Sequence, residues 1–115
     1  MRYVFLGYAD PSVERTWTPG QLTEVINQHV AFSARMRAAG NLIAALGLDA
    51  GDTATVLHRR ADGSFTVTDG PFNESKEQIG GLYILECDDL DEALALAREI
   101  PFSDSQAIEV RPAPH

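Results

Sequence analysis

Val67-Thr68-Asp69-Gly70-Pro71-Phe72-Asn73-Glu74-Ser75-Lys76-Glu77 is the stretch on which the fold turns. A strand enters it, and the apolar run Gly81 to Cys87 leaves it as the next strand. Between them stands an Asp-Gly-Pro turn and a polar segment of mixed charge. Glycine tolerates positive φ, and proline fixes its own φ near about −65° while biasing the residue before it away from right-handed helix. Asp69 is therefore expected at a sharp, well-defined strand end. Two readings of its carboxylate are open: it bonds its own turn backbone, or it is held out as a site residue.

Upstream, Ser64 to Asp69 pairs in prospect with Thr53 to Arg60 through Asp62-Gly63, a hairpin turn of the primed type. Residues 2–8, Arg-Tyr-Val-Phe-Leu-Gly-Tyr, form the first strand, aromatic or aliphatic on both faces. Thr18-Pro19-Gly20-Gln21 opens a helix with Thr18 as N-cap, Pro19 at the first helical position and Gln21 closing a capping box. Trp17 and Leu22 stand at the two positions of a hydrophobic staple, and Gly40 stops the helix after Ala39. Leu22, Val25, Ile26, His29, Phe32, Ser33 and Met36 recur at helical spacing as the stripe that faces the sheet. Asn41 to Leu48 fits either a strand or an extended connection. Downstream, Asp89 with Glu92 reads as a second capping box on a helix to about Ile100, with Leu90, Ala93, Leu94 and Ala97 inward. Gln106 to Arg111 is the last strand.

The order is β, α, a hairpin region, β, α, β, which predicts an α+β domain over residues 1–115 with two helices on one face of an antiparallel sheet. The other face has no helix to cover it, yet Val4 and Leu6 are as apolar as Tyr3 and Phe5 opposite them. A homodimer that packs sheet on sheet or closes a shared barrel satisfies that face.

At 115 residues the chain holds one core. A formal charge of −8, from 17 acidic against 9 basic residues, repels phosphate backbones and argues against a nucleic-acid partner. No apolar run reaches the about 20 residues of a membrane span, and no signal-peptide pattern opens the chain, so the expected location is the cytoplasm. The single cysteine, Cys87, excludes an internal disulfide; its acidic neighbours Glu86, Asp88 and Asp89 disfavour a thiolate nucleophile.

Asp69-Gly70-Pro71-Phe72, followed by Glu74, Lys76-Glu77 and Gly80-Gly81, resembles the signature of the DGPF-domain branch of the YCII-related family. Arg2 to Leu6, His29 with Phe32, Asp62-Gly63 and Glu109-Val110-Arg111-Pro112 extend the match over nearly the whole chain. The resemblance implies a ferredoxin-like, dimeric α+β barrel type of fold, and most members have no established function. It also implies that a helix histidine and a turn aspartate pair as a site, here His29 and Asp69.

In that arrangement Asp69 accepts a hydrogen bond from one ring nitrogen and the other nitrogen moves a proton. Phe72 and Tyr83 would wall the site, Lys76 would hold an anionic group, and Arg59 with His58 and Arg60 forms a basic edge that draws an anion in. His29, Asp69 and Glu86 lack the close spacing of a metal site, so no metal is implied. Gly80-Gly81 precedes a strand rather than a helix, so no nucleotide cofactor is implied either. Two functions follow: acid-base chemistry on, or binding of, a small molecule; or a non-catalytic regulatory dimer, which suits the family's association with transcription control.

Overall fold

The computed structural model describes residues 1–115. Strands β1 (Arg2–Ala9), β2 (Leu42–Gly47), β5 (Gln78–Glu86) and β6 (Ala107–Ala113) make a four-stranded antiparallel sheet in the order β2-β5-β1-β6. Helix α1 (Pro11–Glu14) is a single turn, capped by Asp10, whose side chain accepts from the Ser12 backbone N–H. Helices α2 (Pro19–Ala38) and α3 (Leu90–Ala97) provide the second layer. Strands β3 (Thr55–Arg59) and β4 (Phe65–Asp69) pair only with each other, as a separate two-stranded arm. The hairpin region thus forms no part of the main sheet.

The caps of α2 form as the sequence dictates. Thr18 accepts from the Gln21 backbone N–H, and the Gln21 side chain accepts from the Thr18 N–H. At the other end Gly40 has φ +83°, a conformation that glycine reaches without strain. The N–H groups of Gly40 and Asn41 then bond back to Arg37 and Met36, satisfying the last carbonyls.

Alternation in the strands sorts side chains onto two faces. Tyr3, Phe5, Tyr83 and Leu85 face the helices and pack with Phe32 and Met36 of α2, Ala93 and Ala97 of α3, Cys87 and Ile100. On the opposite face the registered pairs Val4–Ile84 and Leu6–Leu82 are part-exposed, and Tyr8 bonds Glu109 there at 3.4 Å.

Three expectations change. The Arg60–Ser64 turn is not of the primed type: Gly63 at φ +87° carries the only positive φ in it, and the Gly63 N–H bonds the Arg60 carbonyl. A primed turn requires positive φ at both central residues, which Ala61 and Asp62 avoid; the loop is an ordinary turn followed by a left-handed glycine. Asp89 caps α3, but Glu92 reaches the Asp88 N–H rather than that of Asp89, so the second capping box is not closed. Finally, Leu90 and Leu94 remain exposed while Ile100 is buried, because α3 ends at Ala97 and a tighter turn then folds Ile100 inward.

Candidate functional site

The two ends of α2 meet the sheet differently. Phe32 and Met36 are sealed against it, whereas Leu22 and Ile26 are 49% and 52% exposed. The difference arises in the sheet. Beneath Phe32 and Met36 lie Tyr3, Phe5 and Leu85. Beneath the first half of the helix lies a row of three registered glycines, Gly47, Gly81 and Gly7, on neighbouring strands. With no side chains to fill the space, a cavity of about 1000 Å³ opens between α2 and the sheet, lined mainly by hydrophobic residues. That volume is at the upper end for small-molecule sites. The glycine row is the feature of the cavity that sequence reasoning missed; it becomes visible only once the three strands are in register.

His29 and Tyr83 come together in the cavity wall. The Tyr83 hydroxyl and His29 Nδ1 are hydrogen-bonded at 2.6 Å, and the two rings are near-parallel with centroids 6.0 Å apart. Phe32 packs edge-on against Tyr83 at 5.1 Å and fixes the phenol from the core side. Burial pushes the His29 pKa down and holds the ring neutral, with no carboxylate opposing the shift. Burial also pushes the Tyr83 hydroxyl up, against a smaller opposite effect from a hydrogen bond with Ser33. A phenol that donates to His29 Nδ1 would leave the ring proton on Nε2, a nitrogen with no hydrogen-bond partner in the chain.

The other expected site residues are elsewhere. Asp69 ends β4 on the arm, exposed, paired in register with Thr55, and it does not line the cavity. Gly70, at φ +93°, turns the chain there, and its N–H bonds the Ala54 carbonyl. Within the chain it is Tyr83, not Asp69, that orients His29. Phe72 is 79% exposed and lies beside His58 with centroids 5.7 Å apart. Arg59 stacks its guanidinium over Phe65 at 4.5 Å. Lys76 lines a smaller hollow of about 360 Å³ with Arg15 and Asp10. That hollow adjoins the cavity, since Pro11, Arg15 and Ala50 line both. Glu86 pairs with the N-terminal ammonium at 2.6 Å, and no group of three or more His, Cys, Asp or Glu residues is placed to hold a metal ion. No helix is long and apolar enough to cross a membrane.

The model of the YCII-related domain matches residues 1–113. The chain belongs to the YCII-related family. It is also 36% identical over 114 residues to an uncharacterised protein of Rhizobium meliloti (strain 1021), covering 97% of this chain and 91% of that relative. That relative's own name assigns no activity, so the chemistry of this YCII-related chain has to be argued from the His29–Tyr83 cavity itself.

Proposed function

We propose that this protein is a DGPF-branch member that binds a small molecule with an apolar or aromatic body and one hydrogen-bond acceptor, seated over the glycine row with the acceptor on His29 Nε2. The observation that carries this reading is the 2.6 Å Tyr83–His29 hydrogen bond in the wall of a mainly apolar cavity. A neutral imidazole that accepts the phenol's hydrogen bond at Nδ1 carries its proton on Nε2, a fixed donor that suits a carbonyl or carboxylate oxygen. The second reading, acid-base catalysis at His29, draws on the same pair: Nε2 is the nitrogen through which a proton would pass.

The strand order β2-β5-β1-β6, with α2 joining β1 to β2 and α3 joining β5 to β6, each across one intervening strand, supports a ferredoxin-like protomer. The part-exposed apolar face of Val4, Leu6, Leu82 and Ile84 supports a homodimer of the dimeric α+β barrel type. A cytoplasmic location and the absence of a nucleic-acid partner accord with the net charge of −8.

A thermal-shift screen of aromatic and aliphatic carboxylic acids, aldehydes and ketones tests the reading. A ligand present at about 100 times its Kd adds about 2.7 kcal/mol to the folded state. Compounds that raise Tm in the wild type are expected to lose that effect in His29→Leu and in Gly47→Leu, which fills the floor without touching the imidazole. An unchanged ligand shift in both variants overturns the proposal.

A further inference from the structure

The arm is the part of the chain that the cavity leaves unexplained. Register places Leu57, Arg59, Phe65, Val67 and Asp69 on one face of β3 and β4. Leu57, Phe65 and Val67 are 62%, 51% and 63% exposed, and neither strand joins the main sheet. The radius of gyration is 16.2 Å, against about 13 Å for a compact chain of this length. An apolar face on a projecting hairpin is not stable bare in water. Besides the open sheet face, the same chain carries another bare apolar surface: Leu22, Ile26, Val30 and Ile43, all exposed, at the mouth of the His29–Tyr83 cavity.

We propose that the arm of a second copy of this chain lies across that mouth, with Leu57, Phe65 and Val67 as its lid and Asp69 carried to the rim beside His29. The proposal rests on the cavity being the ligand site, and it makes that site incomplete in one copy. Three observations favour a second copy as the occupant. Both surfaces occur in every chain, so two copies can exchange arms reciprocally and close with twofold symmetry. Residues 55–69 hold two arginines and two aspartates, so the arm carries no net charge within a chain of −8 and approaches another copy without like-charge repulsion. Each copy supplies both an arm and a mouth, so the contact forms twice, which is how two modest patches reach the roughly 800 Å² per partner of a standard interface. The arrangement also accounts for Asp69: a carboxylate outside its own chain's cavity shares an arm face with the residues that cover another's.

Mixed-chain crosslinking tests this with the full-length protein. Tagged chains carrying Phe65→Cys are mixed with untagged chains carrying Ile26→Cys or Leu22→Cys and oxidised. The native Cys87 is buried, with its thiol pushed up to about 11 by burial and by Glu92 and Glu86, and does not compete. Covalent tagged–untagged pairs are expected for at least one partner position. They should form at least tenfold faster than with Ala61→Cys, at the exposed arm tip, in place of Phe65→Cys. Rates equal to that control overturn the lid. A second readout concerns Asp69. By NMR, Asp69→Asn should lower the His29 pKa at dimer concentration and leave it unchanged after dilution to the monomer. An unaltered pKa at dimer concentration overturns the placement of Asp69. Crosslinking without any ligand shift in the wild type would remove the ligand reading and keep the interface; ligand shifts without crosslinking would do the reverse.

Discussion

The C-terminal half of α2 is a core element and its N-terminal half is the roof of a cavity, although one hydrophobic stripe runs through both. Phe32 and Met36 are buried; Leu22 and Ile26, on the same stripe, are half-exposed. The helix is continuous and capped at both ends, so its own geometry does not separate the halves. The sheet does, by offering Tyr3, Phe5 and Leu85 to one half and Gly7, Gly47 and Gly81 to the other. A cavity can thus be made simply by omitting side chains from one patch of a sheet.

Substitution along the stripe gives the largest test of that difference. Phe32→Ala should cost about 3–5 kcal/mol in urea unfolding, the range for a fully buried phenylalanine. Leu22→Ala should cost under about 1.5 kcal/mol, since much of the leucine is already in water. Equal losses would show that both halves are core and that the cavity is not open in solution.

Tyr83→Phe falls next in size. The phenol hydroxyl joins the two halves, with its ring against Phe32 and its oxygen on His29. Its removal should lower stability by about 1 kcal/mol, the net value of one hydrogen bond, measured by the same unfolding experiment. The proposed ligand site should respond more than the fold does: any compound that depends on His29 in the thermal-shift screen should weaken in Tyr83→Phe, because Nδ1 loses the partner that fixes the tautomer.

A smaller effect is expected in the pH dependence. Burial lowers the folded-state pKa of His29 below the 6.5 of an exposed imidazole. Below pH 6.5 the unfolded chain takes up a proton that the folded chain resists, so stability is fully present above 6.5 and declines as pH falls through the folded value. His29→Gln should flatten that limb of a stability–pH curve. A wild-type curve that rises on acidification from pH 7 to 6 would contradict a neutral, desolvated His29.

Smallest of all should be the stability change in Gly47→Leu. An added Cβ there meets nothing within 4 Å, and the backbone is not in the left-handed region. The folded state should tolerate the leucine within about 1 kcal/mol while the cavity loses volume. A large destabilisation would mean that the floor is occupied by packed side chains in solution.

Much of the architecture was present in the order of residues. Thr18, Gln21 and Gly40 marked the ends of α2 through local hydrogen-bonding chemistry, and the apolar character of both faces of residues 2–8 pointed to a sheet face that the helices leave uncovered. These features depend on neighbours within a few positions, so a single chain read in order contains them. His29 stood out for the same reason, as an imidazole on an apolar stripe. Its partner did not: Tyr83 is 54 residues away, and only the packing of α2 on β5 brings the phenol to Nδ1. The glycine row is hidden for a like reason, since Gly7, Gly47 and Gly81 become neighbours only when three strands take their register. Asp69 shows the converse. Its turn is local and forms as expected around Gly70, but where that turn lies relative to His29 is set by the hairpin's standing apart from the sheet as an arm. Local chemistry fixes caps, turns and faces; which residues share a cavity is decided by long-range pairing.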